Sequence, residues 1–415
     1  MLQKIVIVFM LVVFFVTGCG LVSGSDTAQQ TSLPTIAADR YPAPADFSFL
    51  GNKTPVIVKY DPNSADPWQN DFRSMDLSAL DLSQSGTDLL YASFDNHTRW
   101  PPADKMPADF NWQQIMKTGK NPGLGIRALH QQGITGQGVG IAIVDQPLLL
   151  EHQEYRERLK LYEEINIEPQ AEAAMHGAAV ASIAVGKTVG VAPEADLYYI
   201  GAWTGDWDQE TNEFTWNFKY YAQALRRILE INQTLPESGK IRVVAMQVGW
   251  DPSQAGYDDI TAAVEEAKAA GVFVISSSLE ETYGLAFHGL GRDPLGDPDD
   301  FSAYTPGLWW SEQFYAGKMF PTPRLMVPMD ARTTASPTGA EDYVYYRQGG
   351  WSWSIPYLAA SYALAAQVRP EITPDQFWQL ALETGQTLQI EREGESYSLG
   401  VILDPQALIR ALQKQ

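Results

Sequence analysis

The sequence predicts an α/β fold: a three-layer α/β/α domain built on a mostly parallel sheet. Nearly continuous runs of Val, Ile and Leu recur at 139–145, 196–203, 243–249, 272–276 and 325–329. Such runs suit strands covered by helices on both faces. Helical stretches at 177–185, 216–232, 260–270, 354–368 and 375–384 alternate with them, which favours crossover connections and parallel pairing. The chain has 415 residues, 45% of them apolar, enough for a sizeable core and too many for wholesale disorder.

The elements follow in order from their residues. The strand at 139–145 is Val-Gly-Ile-Ala-Ile-Val-Asp, delivering a carboxylate at its C-terminal end. The helix at 177–185 is small and β-branched. That at 216–232 places Phe218, Tyr221, Leu225, Ile228 and Leu229 on one stripe. The helix at 354–368 is Ala-rich, with Pro356 early enough to be tolerated. A last strand is expected at 397–403. This domain is expected to occupy residues 121–415.

Upstream, residues 47–120 are expected to form an N-terminal extension of unclear fold. Asp76-Leu77, Asp81-Leu82, Asp88-Leu89 and Ser93-Phe94 recur at roughly five-residue intervals, as in pentapeptide-repeat coils. An irregular β-rich cap fits as well. Residues 19–46, rich in Ser, Thr, Gly, Ala and Pro without apolar periodicity, are expected to be a flexible tether.

Residues 1–18 read as a targeting signal. Lys4 precedes an apolar run, Ile5 to Val16, too short to span a bilayer as a helix. Val16-Thr17-Gly18-Cys19 resembles the lipobox of bacterial lipoproteins, and Cys19 is the single cysteine of the chain. The resemblance implies lipidation of Cys19 and an extracytoplasmic, lipid-anchored protein of the cell envelope. Acyl chains contribute about 0.8 kcal/mol per buried CH₂, so the anchor needs no basic patch. The balance of 29 Lys+Arg against 50 Asp+Glu argues against nucleic acid as a partner. One cysteine also excludes an internal disulfide and multi-Cys metal centres.

Three segments carry chemistry. Gly133-Ile-Thr-Gly-Gln-Gly-Val-Gly-Ile-Ala-Ile-Val-Asp145 ends in a carboxylate at a strand edge, where α/β folds place their sites. Met175-His176-Gly177-Ala-Ala-Val-Ala181 opens a helix with an imidazole and is followed by Gly190-Val-Ala-Pro193. Gly349-Gly-Trp-Ser352-Trp-Ser-Ile-Pro356 sets a serine at a helix start, where free N–H groups and the macrodipole favour a developing negative charge.

Together, in the order Asp, His, Ser, these segments resemble the subtilisin-like serine peptidases. The likeness runs from about Gly123 to Thr387. It implies a triad of Asp145, His176 and Ser352 that cleaves peptide bonds of a protein substrate through an acyl-enzyme. It also implies that the substrate backbone pairs with Gln247-Val248-Gly249. Gln247 replaces the usual Ser there and reads as an exposed strand-end amide. Trp250, Trp351 and Trp353 suit either an aromatic cleft or the core. His152 reads as structural, and His97, His130 and His288 as surface or loop histidines.

One departure concerns the oxyanion hole. Gly271-Val-Phe-Val-Ile-Ser-Ser-Ser-Leu279 leads to Glu280, where the family has an Asn that donates to the tetrahedral intermediate. An ionised carboxylate cannot donate. Either Glu280 is protonated in an apolar pocket, or Ser278 or Thr282 donates instead, or cleavage is impaired. The last case gives the rival reading, a silent envelope binding protein of the same fold. No cofactor is required. The acidic loop Asp293-Pro-Leu-Gly-Asp297-Pro-Asp299-Asp300 could hold a structural calcium, although it lacks a recognisable ligand spacing.

Overall fold

A computed structural model describes residues 36–51, 54–61, 64, 68–208, 210–211, 213–317 and 323–414. Cys19 and the signal-like run lie outside the described residues. Six strands form the main sheet in the order Ala37–Ala38, Leu159–Ile165, Asp196–Ala202, Gly140–Asp145, Ile241–Met246 and Phe273–Ser276. Every neighbouring pair is parallel. The fold is therefore the expected α/β class.

Side-chain parity divides the sheet between two cores. Ile141, Ile143, Leu197, Tyr199, Val243, Ala245, Phe273 and Ile275 face the helices Met175–Val185 and Trp351–Val368. Ala142, Val144, Tyr198, Ile200, Val244, Met246 and Val274 face Lys219–Thr234 and Tyr257–Ala269. Alternate residues of a strand point to opposite faces, so both faces are apolar and the strand sequences run apolar throughout. The stripe expected on 216–232 is present, with Phe218, Tyr221, Leu225 and Ile228 buried. The helix begins only at Lys219, because Gly205–Asp208 and Glu213–Trp216 pair as an antiparallel hairpin.

A second, mixed sheet runs Tyr304–Pro306, Phe287–Arg292, Leu325–Pro328, Glu395–Ile402 and Gln386–Arg392. The expected strand at 397–403 is its Glu395–Ile402 member. The Phe287–Arg292 strand was not expected. It holds His288, which is buried rather than on a surface or loop.

Residues 68–116 form an irregular cap with its own apolar core, and no repeating coil. Leu77, Leu82, Leu89 and Phe94, the apolar members of the near-repeat, are all buried there with Phe72, Ile115 and Tyr345. Phe94–Asp95 adds an antiparallel strand to Tyr343–Tyr346, which itself pairs with Arg332–Ala335. The stretch expected to be tether is docked from residue 36: Ala37–Ala38 edges the main sheet and Arg40 forms an ion pair with Glu164 at 2.7 Å. The described residues form one compact unit.

The cap core makes a stability prediction. Phe94→Ala removes a fully buried ring from between Trp100, Phe110 and Tyr345. The expected loss is about 3–5 kcal/mol in chemical denaturation.

Candidate active site

The strand order fixes where a site can form. The chain builds leftward from Gly140–Asp145 through two strands, then crosses to Ile241–Met246 on its other side. The C-terminal ends of these two neighbours therefore frame a topological switch point, the crevice where open α/β sheets bind ligands. Asp145 has the parity of Ile141 and Ile143, and Gln247 that of Val243 and Ala245. Both point to the face covered by the helices carrying His176 and Ser352.

Asp145 is 2% exposed. Its carboxylate accepts hydrogen bonds from His176 Nδ1, at 2.8 and 2.9 Å, and from the Gln146 N–H at 2.7 Å. With Nδ1 donating, Nε2 is left as the basic nitrogen. Burial alone would lower the imidazole pKa, but the charge and hydrogen bonds of Asp145 outweigh it and hold His176 above its usual value.

The approach depends on Gly177. A Cβ there would lie 2.5 Å from Tyr199 Oη and 2.7 Å from the Gln146 carbonyl. The Ala174 N–H donates to the Pro147 carbonyl at 2.8 Å, fixing the helix start beside the strand end.

Ser352 lies in the first turn of Trp351–Val368, which starts three residues earlier than expected, after Gly350 as N-cap. Its N–H is among those without an intrahelical partner. Pro356 consequently falls in the second turn, where its ring removes the N–H that would close on the Ser352 carbonyl. Ser352 Oγ donates to the Gln247 carbonyl at 3.4 Å. No hydrogen bond joins it to His176 among the described residues, although the next ring, Trp353, stands edge-on to the imidazole at 5.5 Å. The structure thus pairs Asp145 with His176 and brings Ser352 to the same crevice, with the hydroxyl turned toward the neighbouring strand.

The loop before Ser352 is braced by Asp330, a residue the sequence reading missed. Its carboxylate accepts from the N–H groups of Leu308 and Gly349, at 2.7 and 2.8 Å. Burial pushes the Asp330 carboxyl up to about 6, against the pull of Arg347 and the two N–H donors. A Cβ on Gly349 would meet the Met329 carbonyl at 2.4 Å, so only glycine fits there. The available signal was an Asp at the end of an apolar strand, the same cue that marked Asp145.

Gln247, Val248 and Gly249 continue past the end of Gly140–Asp145, whose pairing stops at Val144 with Met246. They are held on one side only, where Ser277 N–H donates to the Val248 carbonyl at 3.0 Å. Gln247 is not the exposed amide expected. It is 7% exposed, and neither atom of its side-chain amide has a partner. Burying such a group unpaired costs about 1–3 kcal/mol.

Glu280 sits in the first turn of Leu279–Tyr283, its side chain 44% exposed and paired with Arg324 at 2.8 Å. The surroundings expected of it, an apolar pocket, are therefore not what the structure shows. The alternative donors are occupied. Ser278 Oγ bridges the N–H and carbonyl of Trp250, and Thr282 Oγ1 donates to the Ser278 carbonyl.

The other predicted residues have structural settings. His152 is buried, accepting from the Glu154 N–H at Nδ1 and donating to the Asp342 carbonyl from Nε2. His97 pairs with Asp342, and His130 bonds the Val191 carbonyl. Trp250 and Trp353 are core residues, whereas Trp351 is half-buried against Phe287, His288 and Trp309. The acidic loop uses its carboxylates locally: Asp293, Asp297 and Asp300 cap their own turns, and Asp299 accepts from Gly125 and Asn121. Three or more His, Cys, Asp or Glu side chains do not gather as a metal site anywhere among the described residues.

The parallel-sheet fold thus brings an Asp–His pair and a helix-start serine to its switch point. Residues 136–312 match the model of the subtilase family. The matched segment holds Asp145 and His176 and stops before Ser352. A solved structure, that of the prenylagaramide maturation protease PagA, is 15% identical with a TM-score of 0.46, covering 70% of this chain and 99% of that one. No curated protein matches the chain.

Two titrations follow. The His176 ring should titrate above about 6.5 by NMR, and Asp145→Asn should move it down, since burial then acts unopposed. Asp330 binds its proton more tightly folded than unfolded, so its contribution destabilises the fold as pH rises from about 4 to about 6. Asp330→Asn should remove up to about 3 kcal/mol of that slope, read from urea midpoints across the window.

Proposed function

We propose that the protein is a lipid-anchored serine endopeptidase acting outside the cytoplasm. The carrying observation is the buried Asp145 carboxylate holding His176 Nδ1, with Ser352 at the helix start on the same sheet face.

In this mechanism substrate draws the Ser352 hydroxyl from the Gln247 carbonyl to His176 Nε2; catalytic hydrogen bonds are often loose before substrate binds. Oγ attacks the scissile carbonyl as its proton passes to Nε2. Asp145 stabilises the imidazolium and keeps the tautomer. The Ser352 N–H and the helix N-terminus face the oxyanion. Collapse breaks the C–N bond, the imidazolium protonates the amine, and water repeats the sequence to free the acid. The one-sided run 247–249 supplies an open edge along which an extended peptide adds as a strand. Lipidated Cys19 tethers the enzyme to its membrane.

A second reading, a catalytically impaired binding protein of the envelope, draws on one observation. Glu280, at the position of the usual amide donor, is ion-paired and unable to donate.

Labelling and hydrolysis would decide between them, and relocalisation tests the anchor that both share. A fluorophosphonate should label Ser352 and peptide hydrolysis should accompany it, both abolished by Ser352→Ala; an unlabelled, folded protein would favour the second reading. Hydrolysis should rise with pH through the His176 titration, as the general base loses its proton. Cys19→Ala should move the protein from the membrane to the soluble fraction.

A further inference from the structure

We propose that the Gln247 side-chain amide is the oxyanion donor of this site, a role that rests on the peptidase reading above. The position of the family's donor holds a charged, exposed Glu280, and the hydroxyls of Ser278 and Thr282 are committed to backbone groups. The site is left without a side-chain donor from that segment. One strand away, Gln247 is buried with both amide atoms unpartnered.

Three features aim it at the reacting atoms. Its own carbonyl accepts from Ser352 Oγ at 3.4 Å, so the residue abuts the nucleophile. Its parity with Val243 and Ala245 sends the side chain to the face that carries His176 and Ser352. It also follows the last paired residue of its strand, where the sheet's edge opens into the crevice. A carboxamide can turn either end toward a ligand, and a substrate oxyanion would select its N–H. The oxyanion would then take two donors, the Ser352 N–H and Gln247 Nε2.

A purely structural glutamine predicts the opposite of a catalytic one. An unpaired buried amide weakens the fold, so replacing it with an apolar side chain of similar volume should leave stability unchanged or raise it. Loss of the donor should instead slow chemistry, as removing the equivalent donor slows a subtilisin by about 10²–10³ in kcat.

The test measures fluorophosphonate labelling rates at Ser352 for wild type, Gln247→Leu and Gln247→Met, with thermal melts of each. The phosphoryl oxygen occupies the same position as the oxyanion. Labelling slowed by about 10²–10³ in Gln247→Leu, with an unchanged or raised Tm, is the expected result. Should Gln247→Leu fail to fold, Gln247→Met, of matched length and unable to donate, reads the same loss. A folded variant labelled as fast as wild type would overturn the role of Gln247 and leave the peptidase reading standing. A folded wild type whose Ser352 is inert would overturn both.

Discussion

The contact between a strand end and a helix start, Asp145 with His176, governs the rest of the site. It needs the helix to approach until only a hydrogen atom separates its backbone from Tyr199 and the Gln146 carbonyl. Gly177 makes that approach sterically free, and the Ala174–Pro147 hydrogen bond locks it. The carboxylate can then remain buried because three hydrogen bonds reach it. Its negative charge sets the protonation of His176 against the pull of desolvation. A methyl group at residue 177 would separate the pair without touching either member.

Much of this was legible in the chain because parallel strands covered on both faces cannot hide. The runs ending at Asp145, Met246 and Ser276 read as strands for that reason, and their ends mark the site. The Phe287–Arg292 strand escaped notice because Phe-His-Gly-Leu-Gly-Arg has no apolar run; its burial comes from Trp309, Trp310 and Trp351 stacked around His288. The hairpin ending at Trp216 was absorbed into the following helix because its aromatic residues fit either period. Tertiary context, absent from any window of sequence, decided both.

The oxyanion position shows the same limit at the level of one side chain. The sequence exposes Glu280 as an anomaly but not its partner, since Arg324 lies forty-four residues away. Nor does it reveal that Gln247 is buried, because a polar residue at a strand end is ordinarily solvated. Parity along the strand would have placed that amide on the face that carries His176 and Ser352 once the apolar alternation of 243–246 was assigned. What parity could not give is the depth of the crevice around it.

Asp330 links the Gly349 loop to the mixed sheet, whereas Asp145 and His176 belong to the parallel one. The loop before Ser352 is thus tied to one sheet, while the helix behind it packs on the other, beside the helix that carries His176. A small slip of one sheet along the other would alter the gap between hydroxyl and imidazole while leaving every strand intact. The reach of the Ser352 hydroxyl is therefore a matter of how the two sheets are seated, and anything that grips either one acquires leverage over it.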